Sequence, residues 1–244
     1  SLQELYLYNN QLKELDLSNL PQGLQRLDLS SNQFKELDLS QLPQGLQRLD
    51  LSSNQFKELD LSQLPQCLKE LYLDSNLFEQ LNLAKLPQSL QIIDLGTNRL
   101  KELNLSHLQN LKVLYLCYNQ LTKLDKLPQN LQTLDLNNNQ LKELNLSQLP
   151  SSLQYLNLSS NPIEKVIGTK PVACIIFGLV LKIDLSNLET TNENCYICHM
   201  NEEETKNKVY ILKCHHTHTY HQECLQSWIN TDKPKKCVVC QTEF

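Results

Sequence analysis

The chain has 244 residues, a net charge of −5 and a mean hydropathy of −0.40. That length suits one large domain plus a small one. The charge divides as −4 over residues 1–190 and −1 over 191–244 without a basic stripe, which argues against a nucleic-acid binder.

Residues 2–166 are a repeat array. Its unit is Leu-x-x-Leu-x-Leu-x-x-Asn-x-Leu/Phe-x-x-Leu-x-Leu-Ser-x-Leu-Pro-x-x. Eight copies begin at Leu2, Leu24, Leu46, Leu68, Leu90, Leu111, Leu131 and Leu153, at a spacing of 22 that shortens to 21 and 20 once each. In each first Leu-x-Leu the leucines point inward and the residue between them outward, the period-two rule of a strand. The asparagine column (Asn10, Asn32, Asn54, Asn76, Asn98, Asn119, Asn139, Asn161) marks a bend where the side chain can bond backbone groups left unpaired. No single unit buries its own leucines, so stacking into a curved solenoid with a parallel concave sheet is expected. The second Leu-x-Leu, as in Leu37-Asp38-Leu39, predicts a short extended segment on the convex side. Pro21, Pro43, Pro65, Pro87, Pro128 and Pro150 oppose a helix there.

These units are identified as leucine-rich repeats. Their Leu-Pro step and short period resemble the repeats of bacterial effectors that act inside host cells, although similar repeats also occur in large DNA viruses. Residues 20–40 and 42–62 are identical, the mark of a duplication. A more individual surface is expected in repeats 4 to 6. There Tyr72, Ile92, Val113, Tyr115 and Tyr118 read as a protein-binding patch flanked by Asp74 and Asp94. Tyrosine also simply suits a strand, which is the plainer reading.

After Asn161 the consensus breaks. Residues 162–188 read as the C-terminal cap of the solenoid, with Cys174 a small buried apolar residue. Their apolar run 172–181 is too short for a membrane span and is closed by Lys182 and Asp184. Residues 189–194 read as a polar linker, and 195–244 as a second domain. No secretory signal is read at the start. The array begins without a capping segment, as a fragment of a longer protein would.

The second domain contains Cys195-x2-Cys198, Cys214-x3-His218-x2-His221-x2-Cys224 and Cys237-x2-Cys240. Zinc takes four N or S ligands in a tetrahedron, and ligands two to four residues apart reach one ion from a tight turn. Four such pairs make two sites. Both shells are full, so the ions are structural and leave no position open for a reacting water. Of nine cysteines, Cys67, Cys117 and Cys174 fall outside the cluster. Such a scattered remainder points to a reducing, cytoplasmic compartment instead of a disulfide framework.

The order of ligand types resembles the RING finger, in the variant with two histidines. The resemblance implies a cross-brace: Cys195, Cys198, His221 and Cys224 on one zinc, Cys214, His218, Cys237 and Cys240 on the other. His216 is the alternative to His218, which is preferred because His218-Thr219-Tyr220-His221 matches the family's His-x-aromatic-His run. His199 and His215 read as bystanders. The resemblance further implies a ubiquitin ligase that docks a ubiquitin-charged conjugating enzyme, with no covalent intermediate of its own. Ile197, Leu225, Trp228 and Val238 fall at the family's docking positions, although Trp228 could instead be core filler. Two departures stand out. Val238 replaces the usual proline, and Gln241 occupies the place where many active members carry arginine or lysine. A non-catalytic adaptor is the competing reading, and a purely structural zinc cap a third.

Overall fold

The computed structural model describes residues 2–124, 126–167, 175–177, 190–191, 209–213 and 217–221. The chain divides into two compact units, Ser1–Gly178 and Leu179–Phe244.

In the first unit each repeat forms a three-residue strand centred on the first apolar residue of its first Leu-x-Leu step. These are β1 (Glu4–Tyr6), β2 (Arg26–Asp28), β3 (Arg48–Asp50), β4 (Glu70–Tyr72), β5 (Ile92–Asp94), β6 (Val113–Tyr115), β7 (Thr133–Asp135) and β9 (Tyr155–Asn157). With β11 (Ile175–Phe177) they make one nine-stranded parallel sheet in chain order. Opposite it, β8 (Glu143–Asn145) pairs in parallel with β10 (Lys165–Ile167). Both β10 and β11 come from the segment read as a cap, and each extends a ladder begun by the repeats. The described residues contain no α-helix. The convex side holds two short 3-10 turns, Leu39–Gln41 and Leu146–Gln148, whose entering residues Asp38 and Asn145 accept from the N–H groups of Ser40 and Ser147. The Leu-Pro steps bend the chain back toward the sheet. The carbonyls of Pro21, Pro43 and Pro65 accept from Leu24, Leu46 and Leu68 at 3.0–3.1 Å.

The core is a set of stacked rows. Leu27, Leu49, Leu71, Ile93, Leu114, Leu134 and Leu156 form the row at the strand centres, all buried. Behind the sheet, Phe34, Phe56 and Phe78 stack face over face with ring centroids 6.4 Å apart, and Leu100, Leu121 and Leu141 continue their row.

Each consensus asparagine from Asn32 to Asn161 ties its repeat to the one before. Asn76 donates through Nδ2 to the carbonyls of Leu51, Leu73 and Asp74, at 3.0, 3.1 and 3.2 Å. Its Oδ1 accepts from the Phe56 N–H at 3.1 Å. The same set recurs at Asn54 and Asn98. The residue before each asparagine is left-handed, from Asn9 (φ 56°) through Ser75 (56°), Thr97 (51°) and Tyr118 (53°) to Ser160 (56°). That conformation costs an L-residue ~1–2 kcal/mol, least for asparagine and most for branched or bulky side chains. The ladder it permits offsets the cost.

The second unit contains a three-stranded antiparallel sheet of β12 (Thr190–Thr191), β13 (Val209–Lys213) and β14 (Thr217–His221). Thr190–Thr191, within the polar stretch read as a linker, is an edge strand of this sheet.

Candidate functional site

Two surfaces carry the candidate residues. In the second unit, His218 and His221 lie on β14, in register with Leu212 and Val209 of β13. Their separation of three gives the two backbone positions opposite parity along the strand. Cys195, Cys198, Cys214, Cys224, Cys237 and Cys240 lie outside the described residues. So do Ile197, His199, His215, His216, Leu225, Trp228, Val238 and Gln241, and Cys174 of the first unit. The donor set itself, six thiolates and two imidazoles in closely spaced pairs, has the chemistry zinc takes and fits two four-coordinate ions.

On the repeats, strand register sorts the outward residues of the sheet into rows. Glu70, Ile92, Val113, Thr133 and Tyr155 follow one another in the first row, and Tyr72, Asp94, Tyr115, Asp135 and Asn157 in the second. Ile92 and Val113 are therefore direct neighbours. Asp94 stands between Tyr72 and Tyr115 instead of beside them, and Tyr118 lies in the turn after β6, 57% exposed. A third row, two residues beyond the second, carries Asp74, Gly96, Cys117 and Asn137. Strand alternation could have revealed this row from the sequence, because the parity holds past the three-residue strands.

Tyr72 is engaged within the array. Arg48 lies 4.3 Å over its ring, and its hydroxyl donates to Glu70 Oε2 at 3.1 Å. Arg48 also pairs with Glu70 at 3.0 Å and Asp50 at 3.4 Å. Burial, together with the nearby Glu70 carboxylate, pushes the Tyr72 phenol up to about 12.

The next repeats hold carboxylates without such a partner. Asp94 accepts from the Gly96 N–H at 2.9 Å, and Asp135 from the Asn137 N–H at 2.9 Å and Asn157 Nδ2 at 3.3 Å. Burial, then the neighbouring Asp74, Asp50 and Asp135, pushes Asp94 up to about 6 against the lowering effect of the Gly96 N–H. Burial raises Asp74 as well. Cys117, its sulfur closed over Gly96, is pushed up to about 11 by burial and then by Asp135 and Asp94. Its thiol therefore stays protonated at neutral pH and is a poor nucleophile.

Comparison with known proteins matches both parts of the chain. Models described as leucine-rich repeats match residues 1–43 and 45–67, 130–151 and 152–173, and a RING-variant domain matches residues 195–240. The chain is 37% identical over 57 residues to an E3 ubiquitin ligase BIG BROTHER-related of Arabidopsis thaliana, a match covering 23% of this chain and 15% of that protein. Among solved structures, a Shigella effector LRR domain is 29% identical with a TM-score of 0.55, covering 67% of this chain and 71% of that one. YopM from Yersinia enterocolitica is 29% identical with a TM-score of 0.53, over 70% of this chain and 40% of that one. InlJ from Listeria monocytogenes is 28% identical with a TM-score of 0.64, over 72% of this chain and 38% of that one. The chain is thus a leucine-rich repeat solenoid with a RING-variant domain at its C-terminus. RING-variant domains in general bind zinc, and both kinds of domain bind protein partners. This combination points to ubiquitin ligation or protein interaction. Among the described residues no helix is long and apolar enough to cross a membrane.

Proposed function

We propose that this union of leucine-rich repeats with a RING-variant domain is a RING-type ubiquitin ligase. The zinc module docks a ubiquitin-charged conjugating enzyme, and the sheet face of the repeats recruits the protein to be modified. One observation carries the reading: the RING-variant match runs from residue 195 to 240, from the first to the last of the eight paired ligands. The partial likeness to an E3 ubiquitin ligase supports the same direction.

Two zinc ions would be held by Cys195, Cys198, His221 and Cys224, and by Cys214, His218, Cys237 and Cys240. The opposite parity of positions 218 and 221 on β14 suits ligands that serve different ions. Bound zinc supplies no reacting water here. Its role would be structural, and Ile197, Leu225, Trp228 and Val238 would be the residues that meet the conjugating enzyme. Those side chains form the apolar docking surface, and Gln241 takes the position from which a polar side chain reaches both enzyme and ubiquitin. The thioester and its cysteine belong to the conjugating enzyme. The ligase restricts the orientation of that thioester so that a substrate lysine attacks it, catalysis by positioning. No cysteine of this chain is needed as an acyl carrier, in keeping with the protonated thiol of Cys117. The scattered cysteines favour a reducing cytosol as the place of work. For a bacterial effector that is the cytosol of the host.

Val238 and Gln241 favour a second reading, an adaptor that binds without promoting transfer. Single-turnover discharge separates the two. A panel of conjugating enzymes charged with ubiquitin is mixed with free lysine and either the wild-type chain, Ile197→Ala or Gln241→Arg. A ligase accelerates discharge, Ile197→Ala abolishes the acceleration, and Gln241→Arg increases it. No acceleration across the panel, with zinc confirmed bound, would establish the adaptor instead.

A further inference from the structure

The sheet face of repeats 4 to 7 has a chemistry that the array itself leaves incomplete. Its three outward rows contain Asp74, Asp94 and Asp135, and from Ile92 onward they contain no lysine or arginine. Among the described residues, the ion pairs of the array join Arg26 to Glu4, Arg48 to Asp50 and Glu70, Arg99 to Glu79, and Lys165 to Glu143. None reaches those three aspartates. Arg48, in the first row beside Glu70, is engaged with Asp50, Glu70 and the Tyr72 ring, while Lys69 and Lys112 stand one residue before that row and Lys69 donates to Gln47 Oε1 at 3.0 Å. Carboxylates drawn partly out of water and set beside one another cost stability unless a cation meets them.

A second observation on the same face is independent of charge. Tyr118 occupies the left-handed position that Asn9, Ser31, Ser53, Ser75, Thr97, Asn138 and Ser160 fill elsewhere, the one aromatic among them. An aromatic side chain there is more strained than asparagine or serine. It recovers little of that cost by burial, since Tyr118 is 57% exposed. The left-handed backbone serves the Asn119 ladder as it does in every repeat, but the ladder does not require tyrosine there, and an exposed aromatic at such a position fits a recognition role. Tyr118 follows Tyr115 by three residues and stands next to Cys117 of the third row, at the margin of the acidic patch.

We propose that this face docks an extended, lysine- or arginine-bearing segment of a protein partner. A cationic head would sit among Asp74, Asp94 and Asp135, and Tyr115 and Tyr118 would cover its aliphatic stem. Charge complementarity selects the occupant, because an acidic face repels nucleic acid and anionic membranes alike. The alternation of aromatic and carboxylate along the second row (Tyr72, Asp94, Tyr115, Asp135) suits a chain laid across the strands, where neighbouring strands are ~4.8 Å apart. The inference rests on the reading that the sheet face recruits the protein to be modified, and it specifies that protein's chemistry.

The test uses the full zinc-loaded chain and a fluorescein-labelled peptide of alternating lysine and alanine, followed by anisotropy. Asp94→Asn removes the charge and keeps the turn. In repeat 8, Asn157 fills the same position and accepts from the Ser159 N–H at 3.1 Å. Tyr118→Asn likewise installs a residue the position accepts. The expected result is a dissociation constant raised about tenfold by Asp94→Asn and about fivefold by Tyr118→Asn. Glu36→Gln, the same charge change outside the three rows, should stay within about twofold. Both sheet-face variants should also unfold at a higher temperature than wild type, the sign of a surface built for binding at the expense of folding. The proposal is overturned if the peptide does not bind, if a glutamate–alanine peptide binds as well, or if Glu36→Gln weakens binding as much as Asp94→Asn. No conjugating enzyme or ubiquitin is present, so failure of the ligase reading would appear separately, as absent discharge with peptide binding intact.

Discussion

Replacing Asn76 by alanine isolates the contribution of the asparagine ladder. In the native array Asn76 is 5% exposed and makes four hydrogen bonds, one of them accepting the buried Phe56 N–H. Alanine leaves that N–H without a partner, which costs ~1–3 kcal/mol. Three carbonyls of Leu51, Leu73 and Asp74 lose the Nδ2 donor together, adding ~1 kcal/mol because two hydrogens were shared among them. The total is about 3 kcal/mol. Asn10 provides the comparison. It is exposed and donates only to Leu7 and Tyr8, so Asn10→Ala should cost no more than ~1 kcal/mol. Asn76→Asp sharpens the test, since it keeps an acceptor for Phe56 but turns a carboxylate oxygen toward three carbonyls. It should be at least as damaging as alanine. Urea unfolding of the three variants, with midpoint and slope compared, measures all of this. Equal losses at Asn10 and Asn76, or a well-tolerated Asn76→Asp, would refute the view that the ladder ties successive repeats together.

Three further outcomes are expected. Arg48→Gln should destabilise by ~1 kcal/mol more than Arg26→Gln in urea unfolding, because Arg48 covers the Tyr72 ring and meets two carboxylates while Arg26 meets one carboxylate, Glu4, at 3.6 Å and half-exposed. Asp94→Asn should raise the melting temperature in a pH-dependent way. With its native carboxyl pushed up to about 6, the folded state binds more protons than the unfolded chain between about pH 4 and that value, so wild-type stability falls as pH rises through the window. The gain from asparagine should therefore be small near the lower end and reach a plateau above the upper end; a gain independent of pH would contradict it. The titratable groups around Asp94 are Tyr72 and Tyr115 on either side of it, the carboxylates of Asp50, Asp74 and Asp135, and Cys117. Finally, removal of zinc with a chelator should abolish the metal-dependent fold of residues 195–240 and any ubiquitin discharge, while the circular dichroism transition of the repeats stays where it was.

Much of the first unit is readable because the residues that build it are chosen by alternation and period alone. Leu27, Leu49 and Leu71 are buried in one row as their spacing requires, and the asparagine column bonds the bends it marks. The left-handed residue before each asparagine left no clear trace. Ser75, Thr97 and Tyr118 are not the glycines such a conformation favours, and only the ladder's geometry forces them into it. The grouping of the sheet-face residues also needed register. Sequence placed Asp94 at the edge of an aromatic patch, and the pairing Tyr72–Asp94–Tyr115 sets it in the middle. Similarly, nothing local in Glu189–Asn194 distinguishes a tether from an edge strand. Thr190 and Thr191 become a strand only because Tyr210 and Val209 lie opposite them. The RING-variant domain was legible from spacing, since the paired cysteines and histidines between 195 and 240 span the residues that its match covers.

The duplicated repeats show why a solenoid separates scaffold from recognition. Residues 20–40 and 42–62 are identical, so Arg26 and Arg48 occupy the same place in the same local sequence. Arg26 faces Glu4 of the repeat before it, and Arg48 faces Glu70 and Tyr72 of the repeat after it, because each repeat takes its surroundings from both neighbours. Their buried leucines cannot register that difference, as Leu27 and Leu49 meet leucine on both sides. A duplication therefore adds core without strain and changes surface chemistry only at the junction where unlike repeats meet. In this chain one such junction falls between repeats 1 and 2 and another between repeats 3 and 4, and the face that carries Tyr72, Asp74 and Asp94 begins on the far side of the second. Outward positions from Tyr72 to Asn137 are free to vary because no inward contact depends on them. That freedom allows carboxylates and a strained tyrosine, each unfavourable for folding, to gather on one stretch of sheet.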